Sequence, residues 1–340
     1  MQVNFPLLSV IIPCYNYERY IGECIASVVS QNDANLEVIV INDGSTDRSW
    51  EEIQVYADRV TAVSTENQGG LKAALTGFRL SKGAFVYFLD ADDVLASGAI
   101  EEITPYLRPD VSKIQFMLSP IDQTGQVIGN SFPPLRQSDD SQILIHSIRE
   151  KGCYMTPPTS GNIYRRDVYE GLGELPYERA IDGVAYLLAP FVGQVISLAR
   201  VLGKYRIHDA NQSSFSVMSS TRMAGYTNRF LKRLEHLSQL VSERRSAAEV
   251  IPVRDNYAYV MQLKIVGKVL DGERPTLQQV TRYLRAIVRE ETGKKRLVLA
   301  VFAIAMLVLK NGAARNLAAL RMDPSSATQT RSALIRVFSR

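Results

Sequence analysis

An unbroken apolar run, Ala84-Phe85-Val86-Tyr87-Phe88-Leu89, stops at Asp90-Ala91-Asp92-Asp93. A short run of this kind reads as a strand buried on both faces, and such strands belong to parallel sheets covered by helices. Carboxylates placed where a parallel strand ends point into the crevice where open α/β sheets bind ligands. Asp90 and Asp92 are two residues apart, so on an extended backbone they face the same side. Two hard oxygen donors on one side suit Mg2+ or Mn2+, and such an ion suits a diphosphate. The competing reading is an Asp-rich loop that only caps the next helix, with Ser97 ahead of Glu101 and Glu102 as the helix start.

The first hundred residues alternate strand and helix signals. Strands are predicted at Leu7–Ile12, Leu36–Ile41, Val60–Val63 and Ala84–Leu89, and helices at Tyr17–Ser30, from Thr46 or Asp47 to about Ala57, and at Gly70–Leu80. This alternation predicts a doubly wound, mostly parallel sheet flanked by helices. After Ile100 the pattern changes. Lys113–Leu118 and Gln126–Ile128 flank an Asp122-Gln123-Thr124-Gly125 turn and read as a hairpin. Helices are expected over Gln142–Glu150 and Asp182–Ala189, with a strand at Gly161–Arg165 between them and a strand pair within 196–207. From about Met218 the chain turns helical, with amphipathic segments at Met223–Val241, Tyr257–Val269 and Leu277–Glu291. The expected organisation is a nucleotide-binding domain over 1–217, a basic helical region over 218–323 and a flexible tail over 324–340.

Charge is divided unevenly. Arg222–Arg340 holds 22 Lys and Arg against 9 Asp and Glu, a net of +13, so the chain's +4 leaves −9 for residues 1–221. An acidic front half suits a metal-binding catalytic domain. A basic back half suits an anionic membrane leaflet, in preference to nucleic acid. Within it, Leu297–Leu309 is an apolar run of 13 residues between Lys294-Lys295-Arg296 and Lys310. A buried core helix and an interfacial helix with basic anchors are both open there; the run is too short to span a bilayer. Cys14, Cys24 and Cys153 sit at no metal-ligand spacing and read as apolar thiols in a reducing compartment. With no signal peptide in view, the expected location is cytoplasmic, peripheral on the cytoplasmic face of the membrane.

Four elements now stand in order: Ser9-Val10-Ile11-Ile12-Pro13-Cys14-Tyr15-Asn16, Ile39-Val40-Ile41-Asn42-Asp43-Gly44-Ser45, Glu66-Asn67-Gln68-Gly69-Gly70, and Phe88-Leu89-Asp90-Ala91-Asp92-Asp93. Together they resemble the family 2 glycosyltransferases, which have the GT-A fold, over roughly residues 7–215. The resemblance implies that Asp43 hydrogen-bonds the nucleotide base, that Pro13 and Tyr15 line the base and ribose, that Asp90 lies near the ribose and the metal, and that Asp92 is the metal ligand. It also implies a catalytic base at the start of a later helix. Asp182 fits that place in Glu178-Arg179-Ala180-Ile181-Asp182-Gly183, although Ile181 stands where the family often has Glu; Asp182 as a plain helix cap is the alternative. In Tyr205-Arg206-Ile207-His208-Asp209, His208 matches a residue that binds the metal or the diphosphate, and Arg206 is a candidate partner for phosphate. Thr159-Ser160-Gly161-Asn162 resembles the floor beneath the acceptor, with Ser160 and Gly161 allowing close approach. Many relatives have Ala-Arg-Asn after Asn-Gln-Gly; here Leu71-Lys72-Ala73 follows, and Lys72 is the candidate positive charge. His146 and His236 read as structural.

The implied reaction is inverting transfer from a nucleoside diphosphate sugar, with UDP as the default, to an acceptor hydroxyl, aided by Mn2+ or Mg2+. A saccharide or lipid-linked acceptor suits the basic tail. A sugar nucleotidyltransferase would need a Gly-rich basic loop after the first strand, and Pro13-Cys14-Tyr15-Asn16 has neither glycine nor lysine. A dinucleotide-binding dehydrogenase is excluded because no G-x-G-x-x-G follows a strand. The remaining rival is a catalytically degenerate transferase serving as a membrane-surface scaffold.

Overall fold

The computed structural model describes residues 7–31, 33–208, 219–244 and 251–322. The expected tail at 324–340, and the part of the His208 motif from Asp209 onward, lie outside the described residues. The chain divides into two compact units: Met1–Ile148 with Cys153–His208 and His236–Val250, and Arg149–Gly152 with Asp209–Glu235 and Ile251–Arg340.

The strands are β1 (Leu8–Cys14), β2 (Leu36–Asp43), β3 (Thr61–Thr65), β4 (Phe85–Phe88), β5 (Val94–Leu95), β6 (Val111–Ile121), β7 (Asn162–Arg165) and β8 (Gln194–Arg206). They form one sheet in the order β3-β2-β1-β4-β7-β6-β8-β5. The β1–β2, β2–β3, β1–β4 and β6–β8 pairings are parallel, and the β4–β7, β6–β7 and β5–β8 pairings antiparallel. The helices are α1 (Ile21–Val29), α2 (Ser49–Gln54), α3 (Gly70–Leu80), α4 (Ala99–Ile103), α5 (Ser141–Lys151), α6 (Gly183–Val192), α7 (Ser220–Arg244), α8 (Ala258–Leu270), α9 (Leu277–Glu290), α10 (Gly293–Val308) and α11 (Asn311–Met322).

Alternation along the strands builds the layers. Val10 and Ile12 of β1 and Val38 and Val40 of β2 enter one core with Ile21, Cys24, Ile25 and Val28 of α1. Ile39 and Ile41 face the other way and pack with Ala73 of α3. Successive side chains on a strand point to opposite faces, so a run apolar at every position is what a sheet covered on both sides requires. The chain steps from β1 to β2 to β3, then returns to β4 on the other side of β1. That reversal opens a crevice beyond the carboxyl ends of β1 and β4.

Several expectations change in three dimensions. Residues 194–206 are one long strand, not a pair; register shifts against β6 around Phe116, Met117 and Leu118 absorb the irregularity that reads as a break. Ser97 makes no helix cap, because α4 starts from Gly98 in the left-handed region at φ +75°. The two-residue β5 and the helix α11 carry too little periodicity to be read in advance. The Asp122–Gly125 turn forms as expected, with an antiparallel bridge between Ile121 and Val127. Cys14 and Cys24 are buried and unpaired, and burial pushes the Cys14 thiol up to about 12, which suits an inert apolar side chain.

In the second unit, α8 to α11 share a core that includes Leu263, Val266, Tyr283, Ile287, Phe302, Ala303, Met306 and Ala318. A capping box opens α9: Thr276 accepts from the Gln279 backbone N–H, and the Gln279 side chain accepts from the Thr276 N–H at 2.9 Å. Among the described residues no helix is long and apolar enough to cross a membrane.

The close approach of α3 to the sheet rests on Gly77. A Cβ there would lie 2.3 Å from Ile11 Cγ2 and 3.4 Å from Ile41 Cγ1. Gly77→Ala should therefore destabilise the fold by roughly 1–3 kcal/mol through overpacking, read as a lowered midpoint in urea denaturation. An unchanged midpoint would mean that the helix stands further from β1 than described here.

Candidate active site

The loops after β1 and β2 are latched to each other. Asn16, at φ +58°, accepts through Oδ1 from the Thr46 N–H at 2.8 Å, and its own N–H donates to Ser45 Oγ at 3.0 Å. The Tyr17 N–H donates to Ser49 Oγ, and the Glu18 N–H to Asp47 Oδ2. Asp43, at the end of β2, is buried and holds a third loop: its two oxygens accept from the Gln68 and Gly69 N–H groups, each at 2.8 Å. The segments singled out in sequence as separate motifs are thus one rim. Pro13 is half-buried on β1, Tyr15 is exposed beside it, and Lys72 is exposed on the first turn of α3. Asp43 spends acceptor capacity on the backbone, a use the sequence did not reveal, and a carboxylate's four lone-pair positions leave room for a further donor.

Past β4, Asp92 and Asp93 are buried and Asp90 half-buried. What holds them is Arg206. It is fully buried; its N–H donates to Asp93 Oδ1 at 2.8 Å, Nε to the Asp92 carbonyl at 2.8 Å, Nη1 to the Asp122 carbonyl at 3.1 Å and Nη2 to Glu23 at 2.6 Å. Its guanidinium lies 4.8 Å from the Tyr20 ring centre. Arg206 is therefore the internal brace of the acidic loop and does not present itself to a phosphate, which corrects the reading from sequence. Two residues on, His208 Nε2 meets Asp92 Oδ2 at 2.9 Å. Tyr17 and Tyr20 wall the imidazole, with ring centres 6.0 and 5.1 Å away.

Ser160 and Gly161 lie underneath the triplet. The Asp90 N–H donates to Ser160 Oγ at 3.1 Å, and the Tyr87 hydroxyl to the Ser160 carbonyl at 2.8 Å. Both residues are buried, and a Cβ on Gly161 would lie 2.5 Å from Pro157 Cβ. Packed in this way, they help to fix where Asp90 points.

Asp182 precedes α6 and is half-buried; its side chain makes no capping bond to that helix. Its negative charge is felt by Asp90, Lys113, Tyr154, Tyr164 and Tyr169. Glu178 is buried, with its carboxylate packed on Gly183 so closely that a Cβ there would sit 2.0 Å from Oε1. A second carboxylate thus reaches the start of α6 from four residues before Asp182, though Ile181 holds the adjacent position.

Lys113 on β6, overlooked in sequence as one residue of a strand, is fully buried beneath this region. Its Nζ lies 2.9 Å from Gln115 Oε1, 3.2 Å from the Tyr154 hydroxyl and 2.7 Å from Thr156 Oγ1. The Tyr154 hydroxyl donates its own hydrogen to the Tyr186 carbonyl, and Thr156 donates to Asn162 Oδ1, whose amide nitrogen is spent on the Pro157 and Pro158 carbonyls. Each neighbour can only accept from Nζ, and three acceptors call for the three hydrogens of an ammonium. Burial pulls the lysine pKa well below its ordinary value, and the charge of Asp182 offsets only part of that. The acceptor count and the faces of Tyr154, Tyr164 and Tyr186, 5.0 to 5.7 Å away, favour the charged form.

Burial, then the charges of Asp92 and Asp182, pushes the Asp90 carboxyl up to about 8, and Asp93 is raised well above its ordinary range by burial, Asp92 and Asp90. Tyr17 is raised by burial and by the charges of Asp92, Asp90 and Asp93. Among the described residues no cluster of three or more His, Cys, Asp or Glu is placed to hold a metal unaided. Asp92 and His208 would together offer two donors, which suits an ion that takes the rest of its coordination from a diphosphate and water.

The Glycosyl transferase family 2 profile matches residues 9–169. An uncharacterized glycosyltransferase of Nostoc sp. (strain PCC 7120) is 34% identical over 247 residues, covering 67% of this chain and 76% of that protein. Among solved structures, S. aureus TarS 1-349 in complex with UDP-GlcNAc superposes with a TM-score of 0.56 at 15% identity, over 92% of this chain and 91% of that one. The mannosyltransferase PcManGT from Pyrobaculum calidifontis, in complex with GDP-Man and Mn2+, gives 0.50 at 16% identity, over 93% and 84%. The fold is of the GT-A type. The chain belongs to glycosyl transferase family 2 and is a glycosyltransferase.

Raised carboxylates make stability depend on pH. Asp90 and Asp93 keep protons in the native state that the unfolded chain releases near pH 4, so the native state binds more protons. Their contribution to stability is whole below about pH 4 and is lost as pH rises towards 8. Urea denaturation should give a lower midpoint at pH 8 than at pH 5, and Asp90→Asn should narrow the gap. An equal midpoint at both pH values in the unaltered protein overturns the burial of Asp90 and Asp93.

Proposed function

We propose that the protein transfers a sugar from a nucleoside diphosphate donor, a UDP-sugar by default, to the hydroxyl of a saccharide or lipid-linked saccharide, with inversion at the anomeric carbon. The observation that carries this reading is His208 Nε2 at 2.9 Å from Asp92 Oδ2, across 116 residues of chain. The buried Asp92 and the half-buried His208 are brought together at the carboxyl edge of the sheet, beside the rim formed by Pro13, Tyr15, Asp43 and Lys72. The base and ribose would lie against that rim, with the diphosphate directed towards Asp90 and Asp92. UDP-GlcNAc in TarS and GDP-Man with Mn2+ in PcManGT support a donor of this class.

Asp92 and His208 are the residues that would hold Mg2+ or Mn2+. Bound there, the ion would offset the charge of the departing diphosphate. Asp182 is assigned as the general base. The acceptor oxygen forms its bond to the anomeric carbon as the bond from that carbon to the phosphate oxygen breaks; the electron pair leaves with the diphosphate and the hydroxyl proton passes to Asp182. Lys113 supports the assignment, because an ammonium near Asp182 favours the ionised carboxylate that a base must be.

Calorimetric titration of UDP, GDP, dTDP and CDP, each with Mn2+ and with EDTA, tests the donor half. One nucleotide should bind, and its binding should vanish with EDTA and in Asp92→Asn. Asp182→Asn should keep nucleotide affinity while turnover falls by roughly 10²–10⁴-fold, the usual worth of a positioned base. Full turnover in Asp92→Asn would overturn the metal assignment, and loss of nucleotide affinity in Asp182→Asn would make that residue structural.

A further inference from the structure

Helix α10 has two apolar faces. Leu299, Phe302, Ala303 and Met306 are buried in the core of the helical unit. Leu297, Val298, Val301, Ile304 and Val308 are 50 to 66% exposed. The spacing 297, 301, 304, 308 is that of one helical stripe, roughly 16 Å long at 1.5 Å per residue. Val288 on α9 is also exposed, and its carbonyl accepts from Arg296 Nη2 at 3.0 Å, which places it near the start of the stripe. A contiguous exposed apolar patch on a folded unit marks an interaction surface.

The charges around the stripe say what covers it. Lys294, Lys295 and Arg296 stand exposed at one end and Lys310 at the other. Thr292–Met322 contains six Lys and Arg and no Asp or Glu. Lys295 shares Glu291, with Nζ to Oε1 at 2.7 Å, while the Arg296 guanidinium bonds only main-chain carbonyls in the described contacts. A second copy docked through the same stripe would bring the same cations, and no anion of its own Thr292–Met322, to meet them. An apolar stripe between cationic ends matches a layer that is anionic at its surface and apolar just beneath.

We propose that the exposed face of α10 seats in the interfacial layer of an anionic bilayer, with the helix in the membrane plane and Lys294, Lys295, Arg296 and Lys310 on the headgroups. The buried opposite face keeps the helix from turning across the bilayer. This goes beyond the transfer reaction and does not depend on it, since the face lies on the helical unit and its readout is binding.

The full chain is floated with vesicles of equal parts phosphatidylglycerol and phosphatidylcholine, and with vesicles of phosphatidylcholine alone. Partitioning should favour the anionic vesicles by at least about tenfold, given the worth of several basic residues near a charged leaflet. Val301→Gln with Ile304→Gln should lower binding to both vesicle types, and Lys294→Gln with Lys310→Gln should lower binding to the anionic ones alone. All four positions are exposed, so the fold should survive, checked by circular dichroism. Val301→Trp adds a reporter that leaves the apolar face in place: its emission should shift to the blue and be quenched by brominated acyl chains. Failure of the unaltered chain to float, flotation undiminished in the Gln variants, or Trp emission unmoved by vesicles would each overturn the proposal. So would a soluble dimer that dissociates in the Val301→Gln, Ile304→Gln variant, which would identify a second copy as the occupant.

Discussion

A buried guanidinium sets the geometry on which the rest of the site depends. Arg206 ends β8 and reaches the Asp92 carbonyl, the Asp122 carbonyl and Glu23, while its own N–H holds Asp93. A planar cation with donors in a fixed fork can tie several carbonyls and carboxylates at set angles, which a lysine cannot. Because the brace lies in the main chain two residues before His208, it also determines where the imidazole emerges. The approach of His208 to Asp92 thus follows from a structural arginine.

The same site concentrates negative charge. Asp90, Asp92, Asp93 and Asp182 interact, and burial raises Asp90 and Asp93. Like charges in a poorly solvated crevice destabilise one another, which is why Asp90 and Asp93 hold their protons, and the charge that remains calls for positive partners. Arg206 supplies one from the side of β8 and Lys113 another from within the sheet. The lysine's cage of acceptors and tyrosine rings keeps its charge where water cannot reach.

The helical unit solves a different problem. Most of its helices bury one face, but α10 buries one apolar face and exposes another. In sequence, the choice between core helix and interfacial helix looks exclusive. Apolar residues all round a helix permit both, because four or five of them suffice for a core contact and as many remain for a second layer.

The order of strands and helices through Leu89, the doubly wound class and the acidic ending of β4 were legible in sequence alone. Each rests on local pattern: runs apolar at every position, helical spacing, and carboxylates where a strand stops. Asp43, Asp92, His208 and Asp182 were legible as candidates through motif order. Sequence could not tell what each side chain does with its neighbours. Arg206 looked available to a phosphate and is a brace; Ser160 and Gly161 also pack beneath Asp90; Asp43 holds a loop. Lys113 and Glu178 carried no signal, because a buried charge is recognised only by the acceptors and helix start around it. Residues 194–206 looked like two strands because a bulge interrupts alternation without ending the ladder. Local propensity and pattern are written in adjacent residues, and the chain alone determined them. Burial, charge pairing and the choice between bracing and binding depend on groups brought together from as far apart as Asp92 and His208, and only the tertiary structure decided those.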